Sequence, residues 1–302
     1  MKSKSLIFLL MLAAVGTMAA DRLKIVATYD TYAGIARDVG GAYVEVTALA
    51  NGRQDPHYVD AKPSYLVALH RADALLLNGL ELEVGFLPPL LQQSGNPRIQ
   101  PGTDGYVDLS RFITPIEVPR GGVDRSMGDV HPYGNPHYHL DPRNMALVAR
   151  GIAGALAKLD PAHAADYAKN GDAEAASLLA LDGEIAKAVA PLKDVPVVTY
   201  HSSLDYFFAR YGISVAGFVE PKPGIKPSPA SLLDLEKRMR DRGVKLVIAE
   251  AYQDLKIARK VADDTGAKLV VVSDYTGAGP GTATYPELMR TFAAALTEAA
   301  RG

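Results

Sequence analysis

The chain has 302 residues, 48% hydrophobic and 22% charged, with a formal net charge of −2. At about 100–200 residues per domain that length suggests two domains, and the composition excludes a disordered chain, a collagen and a coiled coil. No basic excess draws the chain to nucleic acid or an anionic membrane. The absence of cysteine excludes disulfides, thiolate–zinc sites, a thiol nucleophile and a lipid-anchoring cysteine.

Residues 1–20 carry Lys2 and Lys4, an apolar run from Leu6 to Val15 and the small residues Thr17-Met18-Ala19-Ala20. This three-part pattern predicts a signal peptide cleaved after Ala19 or Ala20, since the run is shorter than the roughly 20 residues that span a bilayer. The mature chain is therefore expected to be periplasmic, and without a cysteine at the cleavage site it is expected not to be a lipoprotein.

Strands are expected at Leu23–Thr28, Tyr43–Leu49 and Asp73–Leu77, alternating with helices over 31–39, 63–71 and 81–93, the last broken near Pro88-Pro89. The Ala-rich stretch from Pro161 to about Leu192 reads either as two helices kinked at Asn170-Gly171 or as one long connector helix. Alternation then resumes. Strands are expected at Val195–Tyr200, Ile213–Val219, Lys245–Ala249 and Lys268–Val272, with helices over 204–211, 230–242, 253–264 and 285–300. The expected fold is α/β: two (β/α) lobes with mainly parallel sheets joined by one long helix. The expected division is a signal peptide over 1–20, an N-terminal lobe over 21–158, a connector over 159–193 and a C-terminal lobe over 194–302.

Ligands of parallel α/β sheets bind beyond the carboxyl ends of the strands. His57 lies in the loop after the second expected strand, His201 follows Val197-Val198-Thr199-Tyr200, and Asp274 follows Val270-Val271-Val272-Ser273. His137 stands in the Pro-rich loop Gly134–Pro142, and three of the seven histidines, His131, His137 and His139, fall within nine residues. Imidazole and carboxylate groups on one functional edge suit zinc. Taken singly, each residue also has an ordinary reading: a solvated loop histidine for His57, a core histidine for His201, a turn residue for Asp274. His70 and His163 read as helix-surface residues.

Five motifs, in order, resemble the metal-specific substrate-binding proteins of bacterial ABC importers, the zinc and manganese receptors. They are Gly52-Arg53-Gln54-Asp55-Pro56-His57, Ala74–Glu83, Asn135–Pro142, Tyr200–Phe207, and Ala262–Lys268 ahead of Asp274. The resemblance implies one Zn(II) in the cleft, held by His57, His137, His201 and Asp274, captured for an inner-membrane permease. A periplasmic zinc chaperone is a further implied partner, and a monomer is expected. Histidine rather than glutamate at position 201 favours zinc over manganese. The family usually has tryptophan where this chain has His139, which is then a packing substitute, a hydrogen-bond donor to a ligand or an alternative ligand. Glu250, at another strand end, is the substitute for Asp274. His131 and Asp129 are what remains of the metal-rich loop that some zinc receptors carry. The long helix implies small domain motions. The competing reading is a zinc hydrolase using the three histidines with Asp274 or Glu250 as base, but no HExxH helix or GxSxG elbow is present.

Overall fold

The computed structural model describes residues 22–123, 127–128 and 130–301. The expected signal peptide and Asp129 lie outside the described residues. No described helix is long and apolar enough to cross a membrane.

Strand β1 (Leu23–Tyr29) leads into helix α1 (Asp30–Gly40), and β2 (Val44–Ala50) is followed by α2 (Pro63–Arg71). Next come β3 (Ala74–Leu77), α3 (Leu87–Ser94) and β4 (Tyr106–Asp108). These strands form a parallel sheet in the order β2-β1-β3-β4. The second half repeats the plan with β5 (Pro196–Thr199), α6 (Asp205–Tyr211), β6 (Ser214–Phe218), α7 (Pro229–Arg242), β7 (Leu246–Glu250), α8 (Leu255–Thr265) and β8 (Lys268–Val272). Its parallel sheet has the order β6-β5-β7-β8, the same topology shifted by four strands. Every residue of β3 and of β7 is buried, as expected of interior parallel strands covered on both faces.

Between the halves run α4 (Pro142–Leu159) and α5 (Ala164–Val189), and α9 (Tyr285–Arg301) closes the chain. Helix α5 is continuous for 26 residues, about 39 Å at 1.5 Å per residue. Of the two readings of this stretch, the single helix holds. Gly171 is a close-approach residue, because a Cβ built there would lie 2.6 Å from the Ala153 Cβ of α4. Pro88 and Pro89 do not break a helix; they occupy the first turn of α3, where a missing N–H costs nothing. The 18 residues of α4 and the short β4 were not anticipated from the sequence.

The two halves share one core. One continuous apolar cluster runs from Ile25 and Leu75 through Ile152 and Leu178 to Phe292 and on to Ile248 and Val270 of the second sheet. The opposite face of that sheet, Val198, Val247 and Ala249, packs under α7 and α8 as a separate cluster. The period-2 alternation of β7 thus splits between two cores.

Candidate metal centre

His57, His137 and His201 converge at the carboxyl ends of the two sheets, each offering a ring nitrogen, with these nitrogens within 4.8 Å of one another. His57 comes from the loop after β2, His201 from the residue pair after β5, and His137 from the turn ahead of Asp141, which caps α4. His137 and His201 are buried and His57 is partly so. Both ring nitrogens of His137 and Nε2 of His57 are buried without a hydrogen-bond partner, the kind of orphaned polar atom that calls for an ion or water. In a tetrahedral zinc site with Zn–N of 2.0–2.1 Å, ligand nitrogens stand about 3.4 Å apart. The trio therefore needs small side-chain adjustments, not a rearrangement of the fold.

Two of the rings are oriented by carboxylates. His57 Nδ1 meets Asp55 Oδ1 at 2.8 Å, and the same oxygen accepts the His57 backbone N–H at 2.9 Å. His201 Nδ1 lies 3.3 Å from Glu220 Oε2. Each pairing leaves Nε2 for a cation, the carboxylate–histidine arrangement that fixes tautomer and ring angle at metal sites. Burial pushes the Asp55 carboxyl up, but the hydrogen bonds and charge of His57 outweigh it and hold Asp55 below the usual carboxylate range. Burial, reinforced by the neighbouring imidazoles, holds His137 well below its ordinary value, hence neutral and able to donate a lone pair. Sequence reasoning missed both orienting acids. The spacing Asp55-Pro56-His57 was visible as a signal for the first; nothing in the sequence points to Glu220.

Asp274 is wholly buried beyond β8. Its Oδ2 accepts the Tyr252 hydroxyl at 2.8 Å, and its Oδ1 has no partner. It lies outside the set of three whose ligand atoms fall within 4.8 Å. Glu250 ends β7, also wholly buried, with Ser203 bonded to Oε1 and Oε2 unpartnered. Burial pushes both carboxyls up, and the Asp274 charge adds to the effect on Glu250.

The remaining histidines divide. His139 stacks on Tyr275 with ring centroids 4.0 Å apart, and its Nε2–H donates to the Asp274 carbonyl at 2.8 Å. It pins the lobes together where they meet. His131 stacks on His57 at 5.3 Å and keeps a buried, unpartnered Nε2, and burial pushes it down to about 3. It stands beside the trio, not within it. His163 corrects the surface expectation: it stacks on Tyr43 at 3.8 Å and pairs with Asp160. His70 is exposed as expected.

The Ala74–Glu83 motif holds the His137 loop. Glu83 accepts the Thr28 hydroxyl at 2.7 Å and the backbone N–H groups of Asn78 and Gly79, at 2.6 and 3.2 Å. Asn78 so fixed donates to the Pro136 carbonyl at 3.1 Å, and its own carbonyl accepts the Tyr138 hydroxyl at 2.7 Å. Across the cleft, Gly52 N–H donates to the Thr276 carbonyl at 2.9 Å. A Cβ at Gly52 would come within 2.4 Å of the Tyr275 carbonyl oxygen, so only glycine fits this contact.

A family model described as "Zinc-uptake complex component A periplasmic" matches residues 25–299. A high-affinity zinc uptake system protein ZnuA of Brucella abortus is 34% identical over 164 residues, covering 54% of this chain and 49% of that protein; the chain thus spans about half the length of that curated relative in the match. The manganese ABC transporter substrate-binding lipoprotein PsaA of Streptococcus pneumoniae is 26% identical, over 86% of this chain and 83% of its own. A crystal structure of ZnuA superposes with a TM-score of 0.75 at 24% identity, covering 92% of this chain and 99% of that one. With the family model matched across both sheets and every strand-end loop of the cleft, the chain belongs to the family of periplasmic component A of zinc-uptake complexes.

Proposed function

We propose that the mature chain is a periplasmic receptor that captures Zn(II) in the cleft between the lobes and hands it to the membrane permease of an ABC importer. The observation that carries this reading is the convergence of His57, His137 and His201, drawn from both lobes, with buried ring nitrogens on His57 and His137 that have no hydrogen-bond partner. Asp274, with its unpartnered Oδ1, is the fourth ligand of the proposal. This assignment requires Asp274, which lies outside the 4.8 Å set, to move toward the trio when the cation binds. Three imidazoles and one carboxylate suit zinc better than manganese, which favours oxygen donors. Four protein ligands leave no open position for an activated water, so the site suits carriage and not hydrolysis.

Cleavage after Ala19 or Ala20, and segments of 21–158, 159–193 and 194–302 as working units, belong to the same proposal. The shared core and the contacts of Gly52 and His139 across the cleft support small lobe motions on release. The test is native mass spectrometry of wild type and His201→Ala after exposure to zinc and manganese together. One tightly held zinc in the wild type, lost in the variant, is expected; retention of manganese in preference to zinc, or zinc unaffected by the substitution, would overturn the reading.

A further inference from the structure

The two oxygens of the Asp274 carboxylate have different surroundings. Oδ2 accepts the Tyr252 hydroxyl at 2.8 Å, while Oδ1 is buried with no hydrogen-bond partner. The main chain of the same residue is held as well, since the Asp274 carbonyl accepts His139 Nε2–H at 2.8 Å. One carboxylate oxygen is engaged, and one is left for a cation.

The end of β7 places the phenol. Tyr252 stands two residues past that strand, half-buried, in a turn closed by the Gln253 N–H on the Glu250 carbonyl at 3.0 Å. Ala251 N–H donates to the Val272 carbonyl at 2.9 Å, which carries the pairing of β7 with β8 one residue further toward Asp274. Asp274 in turn stands two residues past β8. Both residues thus belong to neighbouring strand ends of one lobe, and their bond does not depend on movement between the lobes. We infer that Tyr252 is a specificity-determining residue: by occupying Oδ2 it restricts Asp274 to one metal-binding oxygen, and so favours zinc over manganese.

The inference rests on Asp274 as the fourth ligand, and the bond to Tyr252 has to persist as Asp274 closes on the trio. Three imidazole nitrogens and one carboxylate oxygen make the four-coordinate set that suits zinc. A carboxylate binding through both oxygens would offer a fifth donor, a step toward the octahedral, oxygen-rich shell that manganese prefers. Chelation of that kind requires Oδ2 to give up the phenol and turn to the metal, so the Tyr252 hydroxyl weighs against it. Tyr252 acts through Asp274, as a positioning residue that sets how a ligating carboxylate is presented.

The test compares the mature wild type, Tyr252→Phe and Asp274→Ala, each checked for folding by circular dichroism. Affinities for Zn²⁺ and for Mn²⁺ are measured by competition, and the visible spectrum is recorded with Co²⁺ bound. Phenylalanine keeps the ring and removes only the donor; alanine at 274 spares the carbonyl that His139 holds. Tyr252→Phe is expected to weaken zinc about tenfold and to leave manganese unchanged or tighter, so that the preference for zinc falls about tenfold. Four-coordinate Co²⁺ absorbs intensely, and this absorption is expected to drop in Tyr252→Phe as the second oxygen joins the shell. A hydroxyl that only supports the loop would weaken both metals alike, or neither, and leave the Co²⁺ spectrum four-coordinate. That result, with zinc still weakened by Asp274→Ala, overturns the role of Tyr252 and leaves the receptor site standing. Zinc held as tightly by Asp274→Ala as by the wild type would instead remove Asp274 from the ligand set, and the role of Tyr252 with it.

Discussion

Replacing His201 by Ala tests whether the metal centre is built from both halves of the chain. His201 reaches the trio from the loop after β5, whereas His57 and His137 come from the first half. Binding of a structural zinc by four ligands is worth about 10–16 kcal/mol, so one ligand in four corresponds to about 2.5–4 kcal/mol. That is a factor of about 10² to 10³ in dissociation constant. The loss tends to the upper end, because Glu220, with its side chain only 11% exposed, is left facing the cleft without the ring 3.3 Å away that it pairs with. The assay is competition against a chromophoric zinc chelator at pH 7.5, with circular dichroism to establish that the variant is folded. His57→Ala, from the other lobe, should lose a similar factor. Zinc binding by His201→Ala within threefold of wild type, with His57→Ala strongly impaired, would refute a site shared between the lobes.

Four further outcomes follow from single contacts. Asp55→Ala removes the carboxylate 2.8 Å from His57 Nδ1 and should weaken zinc about 10–100-fold without abolishing it, as read by the same competition. In α5, Gly183→Ala meets nothing within 4 Å and should stabilise by about 0.8–1 kcal/mol in urea denaturation. Gly171→Ala gains the same propensity but forces a Cβ to 2.6 Å from Ala153; with overpacking at about 1–3 kcal/mol, it should be neutral to destabilising, and a gain equal to that of Gly183→Ala would contradict the close crossing of α4 and α5. Burial pushes Glu83 from 4.5 up to about 7. A raised carboxyl contributes stability that is fully present below its unfolded value and is lost as pH rises through the folded one, so Glu83→Gln should gain about 2 kcal/mol on the wild type between pH 5 and pH 8; a stability gap that does not change with pH would count against the buried acid.

Strand-and-helix alternation carries the fold in the sequence, because parallel strands buried on both faces read as unbroken apolar runs such as Ala74–Leu77 and Leu246–Ala249, and Gly212, Gly243 and Gly266 end their helices in the left-handed conformation. The convergence of the three histidines was foreshadowed for a related reason: His201 stands just past a strand end, His57 in the loop after a strand and His137 in a Pro-rich loop, on the edge where a parallel fold places its ligands. What the sequence does not encode locally is which side chains from distant loops share space. Glu220 lies 19 residues beyond His201, and only the parallel pairing of β5 with β6 brings its carboxylate to the ring. Pairing in space, not composition, makes His139 a pin between the lobes through Tyr275 and the Asp274 carbonyl. The same holds for α5: Ala-rich sequence permits either a kink or a continuous helix at Gly171, and the packing of α4, which leaves no room for a Cβ there, decides for the continuous helix. Residue types and spacing thus set the elements and the metal-binding chemistry, while tertiary packing selected the orienting carboxylates and the contacts that hold the cleft.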